Sequence, residues 1–139
     1  GKKSKHFTMK IEQLKKGADY KTKKGVIIPN EEVTVANANP RSYAYCADTI
    51  YDISLADKVK GVDLMYHEAT YLKAEHVRAA ERFHSTTEQA AEVAKKGAVK
   101  KLLIGHFSSR YEILDEFLQE AKEVFENTEL ALEGVCFTV

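Results

Sequence analysis

VDLMYHEAT, residues Val62 to Thr70, decides how this chain is read. Leu64, Met65 and Tyr66 form a short apolar strand, and the polar pair His67–Glu68 stands at its end. KKLLIGHFSSRY, from Lys100 to Tyr111, repeats the grammar, with Leu102 to Ile104 apolar and His106 at the tip. Between them lie a helical stretch from about Lys73 to Arg82 and then FHSTTEQAAEVAKK, Phe83 to Lys96. In the latter, Ser85 and Glu88 have capping-box spacing, and Ala90, Ala91, Val93 and Ala94 supply a small apolar face. Upstream, SYAYCA (Ser42 to Ala47) is strand-like and Ile53 to Lys60 reads as a short helix. Downstream, Ser109 and Glu112 repeat the capping-box spacing. The helix predicted there carries Leu114, Phe117, Leu118, Ala121, Val124 and Phe125 on one face, and Gly134 to Val139 reads as a closing strand. Such alternation implies a layered α/β domain, in which ligands gather beyond the carboxyl ends of the strands.

The first forty residues follow other rules. ADYKTKKGVIIPNEE predicts a hairpin turning at Lys24–Gly25 and ended by Pro29; Asn37, Asn39 and Pro40 predict a loop. Residues 1–41 hold ten Lys/Arg against four Asp/Glu, a balance of +6 within a chain of net charge zero. A solvated basic tail accounts for this, and a nucleic-acid contact is the sharper alternative. At 139 residues, 44% hydrophobic and 30% charged, the chain fits one globular domain. No run approaches the ~20 apolar residues of a membrane span, and no signal peptide is evident. Cys46 and Cys136 sit in apolar surroundings and read as buried reduced thiols, which suits the cytoplasm. The chain opens on Gly1 rather than Met, as a part of a longer protein would.

Three strand ends thus carry chemistry: Asp48 in CADT, His67–Glu68 in YHEAT, and His106 in GHFSSRY. Taken alone, Asp48 reads as a cap or turn residue and His106 as a core histidine bonded to backbone. Together they are the ligand types a hydrolytic zinc prefers, although a catalytic zinc takes about three protein ligands and no His-x-His pair is present. His67 and Glu68 are neighbours on a strand, so only one faces the site easily. Glu68 with His84 makes an acid–base pair, and the bland alternative is Glu68 on backbone with His84 merely preceding a helix. His76 and His6 read as solvated. Arg110, beside Ser108 and near a helix start, suits either a phosphate or a surface ion pair.

YCADT, YHEAT, FHSTTEQAAEVAKK and GHFSSRY, in this order and spacing, resemble ribonuclease Z, the tRNA 3′-processing endonuclease family of the metallo-β-lactamase fold. The resemblance runs from about Met9 to the C-terminus and includes the hairpin. It implies half of an αβ/βα sandwich, with a mixed sheet and helices on its outer face. It also implies that Asp48 bridges two zinc ions, that His106 ligates one, and that His84, partnered by Glu68, protonates the departing RNA oxygen. Precursor tRNA is the implied substrate and a homodimer the implied assembly. The family's His-x-His-x-Asp-His block is absent, so the resemblance is to the C-terminal half, and the chain alone is expected neither to bind two zincs tightly nor to cleave tRNA. Two rivals stand beside this reading. One is another phosphodiesterase or hydrolase of the same fold; the other is a non-catalytic module that associates through exposed sheet surface.

Overall fold

The computed structural model describes residues 11–35 and 40–139 and divides into two units, one reaching Pro40 and one running from Arg41 to Val139. His6 and the expected loop at Asn37 and Asn39 lie outside the described residues. In the first unit β1 (Tyr20–Lys21) pairs antiparallel with β2 (Ile27–Ile28), Tyr20 opposite Ile28. The turn closes with the Thr22 N–H donating to the Val26 carbonyl at 2.8 Å, and Gly25 takes φ +86°, a conformation L side chains resist. Pro29 then precedes α1 (Asn30–Val33). The Asn30 side-chain amide donates to the carbonyls of Leu14 and Ala18, both at 2.8 Å, which ties the helical residues 11–15 to the hairpin's base.

The second unit alternates strand and helix. Its elements are β3 (Tyr43–Cys46), α2 (Leu55–Lys58), β4 (Leu64–Glu68), a 3-10 turn (Lys73–Glu75) running into α3 (His76–Glu81), α4 (Thr87–Lys96), β5 (Leu102–Gly105), α5 (Asp115–Val124) and β6 (Thr128–Leu130). The sheet has the order β3-β4-β5-β6 with every pair parallel, so among the described residues antiparallel pairing is confined to β1 and β2. Cys46 lies beside His67 and Glu68 beside Gly105. That register brings the carboxyl ends of β3, β4 and β5 to one edge.

Strand alternation sorts the two faces. Met65, Leu102 and Ile104 pack with Ala90, Ala91, Val93 and Ala94 of α4 and with Phe117 and Ala121 of α5, all fully buried. The alanines keep α4 slim, so its backbone can lie close to the sheet. Phe117 meets Phe107 and Tyr111 edge-on at 4.9 and 4.8 Å between ring centres, an arrangement the aromatic quadrupole favours. On the alternate positions Tyr45 stacks on Tyr66 at 4.7 Å, and Tyr43 and Tyr45 stay 52% and 66% exposed.

Several local expectations change. The N-cap of α4 is Thr86, not Ser85: Thr86 Oγ1 accepts from the Gln89 N–H at 3.3 Å, and Gln89 Oε1 accepts from the Thr86 N–H at 2.9 Å. Ser109 and Glu112 form no capping box, because α5 starts only at Asp115, after Leu114, with no side-chain cap. The last strand is Thr128–Leu130, which completes β5's free side, and residues 134–139 form none; Gly134 turns the chain at φ +77°. Cys136 is therefore exposed rather than buried. Cys46 is half-buried, and that burial pushes its thiol pKa up. Among the described residues no helix is long and apolar enough to cross a membrane.

Candidate active site

The ends of β3, β4 and β5 each deliver one polar side chain, Asp48, Glu68 and His106, and two left-handed residues aim the histidines. His106 itself takes φ +62° directly after β5, and Phe83, just before His84, takes φ +59°. Non-glycine residues in this region cost on the order of 1–3 kcal/mol, and such strain collects at functional sites. The His84 N–H bonds the Ala79 carbonyl at 2.8 Å, so the end of α3 sets where His84 begins.

Asp48, His84 and His106 meet: one donor atom from each lies within 4.8 Å of the other two. Asp48 Oδ1 stands 3.2 Å from His106 Nε2, so both side chains serve this cluster rather than a cap or the core. The rings of His84 and His106 lie 5.1 Å apart. Asp48 and His106 are exposed while His84 is half-buried, which leaves the cluster open to a ligand from solvent.

Glu68 stands behind the cluster with no exposure at all. Its Oε1 faces His84 Nδ1 at 3.0 Å and accepts from the backbone N–H groups of Ser85 at 3.0 Å and Thr49 at 3.3 Å. Its Oε2 accepts from the N–H of Thr70 at 3.0 Å and lies 2.8 Å from the Thr70 hydroxyl. That hydroxyl also lies 2.9 Å from His106 Nδ1. The Ser85 hydroxyl donates to the Thr49 carbonyl at 2.8 Å, joining the loop that bears Asp48 to the loop that bears His84. A buried charge is tolerated only when it is densely hydrogen-bonded, and Glu68 is.

His67 points the other way. It is fully buried, its Nδ1 donates to the Glu68 carbonyl at 2.7 Å, and its Nε2 has no partner among the described residues. Burial holds its pKa below the ordinary histidine range, against the opposing pull of the Glu68 backbone and charge. Arg110 and Ser108 do not join the three-residue cluster. Arg110 pairs with Glu75 at 3.6 Å and lies over the Tyr111 ring, and the Ser108 N–H donates to the Thr70 carbonyl at 3.1 Å. His76 is exposed on α3. Thr49, Thr70 and Ser85 escaped sequence reasoning as functional residues. Their partners lie up to 36 positions away, and no local spacing marks such pairs.

No family model matches the chain. Over 129 residues, 93% of its length, it is 50% identical to the ribonuclease Z of Phocaeicola vulgatus. The kinship is with ribonuclease Z. The chain spans about two fifths of the length of the curated ribonuclease Z relatives it matches, 42% in that case. In three dimensions it superimposes on the metallo-β-lactamase fold protein YhfI from Bacillus subtilis with a TM-score of 0.64 at 24% identity. That match covers 68% of this chain and 39% of the other, and it shows the fold. The short form of human tRNase Z aligns with a TM-score of 0.51 at 25% identity, over 76% of this chain and 33% of that one. The ribonuclease Z-like chain is thus part of a metallo-β-lactamase α/β architecture, with its cluster at the carboxyl edge of the sheet.

Proposed function

We propose that this chain carries the acid–base machinery and part of the metal centre of a zinc-dependent endoribonuclease that removes the 3′ trailer of precursor tRNA. The meeting of Asp48, His84 and His106, with Glu68 buried behind His84, carries this reading. The donor set fits zinc: a carboxylate and an imidazole nitrogen 3.2 Å apart are two electron-rich groups that a cation draws together. Asp48 and His106 would hold the metal. Bound zinc lowers the pKa of water and neutralises charge on a phosphate.

The chain's own residues supply the proton. His84 Nδ1 is engaged by Glu68, so Nε2 is the nitrogen left to protonate the ribose oxygen that leaves when the phosphodiester breaks. The Glu68 carboxylate holds the ring's orientation and balances its positive charge before transfer. A two-zinc centre needs further donors, and this sequence has no His-x-His-x-Asp-His block to provide them. The activity therefore belongs to a longer parent, which this reading takes to be cytoplasmic and homodimeric, and the chain alone is inactive. Precursor tRNA incubated with zinc and this chain should stay intact. A parent containing the block should cut it, and His84→Ala should slow that parent by about 10²–10⁴-fold. Cleavage by the chain alone contradicts the reading.

The exposed Tyr43 and Tyr45 on edge strand β3 favour a second reading, association with another chain. Sedimentation velocity at rising concentration tests it, and a monomer throughout removes it.

A further inference from the structure

We infer that Thr70 is a positioning residue that fixes the tautomer of His106, so that the one buried carboxylate, Glu68, orients both histidines of the cluster. The protons available in this network fix their own positions. Thr70 has one hydroxyl proton and two neighbours within hydrogen-bond distance, Glu68 Oε2 at 2.8 Å and His106 Nδ1 at 2.9 Å. Glu68 already accepts from the Ser85, Thr49 and Thr70 backbone N–H groups and faces His84 Nδ1, so it acts as an acceptor. The hydroxyl proton must then go to Glu68, because two oxygen lone pairs at 2.8 Å would repel. Thr70 Oγ1 is left as an acceptor toward His106, and His106 Nδ1 must donate to it.

The result is a directed chain: His106 Nδ1–H to Thr70 Oγ1, and Thr70 Oγ1–H to Glu68 Oε2. Asp48 Oδ1, 3.2 Å from His106 Nε2, is the rival acceptor for the His106 proton, but its side chain is 63% exposed and water solvates it, whereas a proton on Nε2 would set the Nδ1 lone pair against that of Thr70 Oγ1 at 2.9 Å. Glu68 treats His84 in the same sense but directly, at Nδ1. A hydroxyl is needed here because one atom must both donate and accept; valine has the shape of threonine and can do neither. Partners behind a metal-ligating histidine commonly hold its tautomer in this way, and losing them costs about 10–100-fold in metal affinity.

The test is long-range ¹H–¹⁵N NMR of the imidazoles in the whole chain, at a pH where they are neutral. The wild type should show His106 protonated on Nδ1, and Thr70→Ser should keep that tautomer. Thr70→Val should populate the Nε2–H form and weaken zinc binding about 10–100-fold by calorimetry. A wild type with His106 protonated on Nε2 overturns the inference, whether or not Thr70→Val folds. So does a Thr70→Val chain that keeps wild-type tautomer and zinc affinity, or a Thr70→Ser chain that loses them. The zinc arm rests on Asp48 and His106 being metal ligands and the tautomer arm does not. An Nδ1–H wild type that binds no zinc therefore refutes the metal reading and leaves the role of Thr70 standing.

Discussion

Replacing Glu68 by glutamine keeps the shape of the side chain and removes one acceptor and the charge. Two effects oppose each other. Losing a buried charge relieves its desolvation, which can stabilise a protein when the charge is poorly solvated. Here Oε1 faces three donors and Oε2 two, so the protein already solvates the carboxylate. The amide's NH₂ costs least at the Oε2 position, where the Thr70 hydroxyl can turn to accept from it while the Thr70 N–H is stranded. One stranded buried N–H costs about 1–3 kcal/mol. The bonds that remain fall from about 1.5–3 kcal/mol each, with charge assistance, to about 0.5–1.5. Of these, the Thr49 contact at 3.3 Å has least to lose. The sum favours a net loss of about 3–5 kcal/mol, a large share of the ~5–15 kcal/mol that holds a typical domain. Urea unfolding followed by circular dichroism reads it as a lower midpoint at unchanged slope. A Glu68→Gln loss below about 1 kcal/mol would refute the claim that Glu68 organises these loops.

Three further outcomes follow from individual contacts. Thr86→Ala should cost about 1 kcal/mol, and Thr86→Ser should keep most of it because the hydroxyl still accepts from the Gln89 N–H; a Thr86→Ala chain of unchanged stability would place the cap elsewhere. Gly105→Ala sets a methyl 2.6 Å from the Tyr66 hydroxyl oxygen and 2.8 Å from its ring. That should cost about 1–3 kcal/mol and shift the ring-current signals of Tyr45, while unchanged signals contradict the stacking. Tyr66 has its pKa pushed up from 10.0 to about 12, chiefly by burial and then by Tyr45, Glu68, Tyr43 and Asp48. The folded state holds that proton more tightly than the unfolded chain. The contribution is full below pH 10.0 and is lost as pH rises through about 12. Tyr66→Phe should remove one late step from the phenolate absorbance titration, and a titration unchanged by the substitution would contradict the assignment.

What could be read in advance follows from the range of each interaction. β3, β4 and β5 were legible because apolar runs ended by polar tips are local patterns, and parallel register then carries Asp48, Glu68 and His106 to one edge without further instruction. The cap was misplaced because STTEQ satisfies the box spacing twice, from Ser85 to Glu88 and from Thr86 to Gln89. Only the fold shows that Ser85 is occupied elsewhere, its N–H on Glu68 and its hydroxyl on Thr49. The last strand was misplaced because Thr128–Leu130 has too little apolar alternation to announce itself; it is a strand because β5 offers an open edge. Thr70 has no signal of its own beyond standing in YHEAT, since its partner His106 is 36 positions on.

In the function proposed above, Asp48 and His106 form part of a metal site which this chain does not complete. Isothermal titration of zinc into the wild-type chain and into an Asp48→Asn, His106→Gln double variant tests it most directly. One weakly bound zinc per wild-type chain, lost in the variant, is the expected result. Two tightly bound zincs, or binding the double variant leaves unchanged, would contradict it.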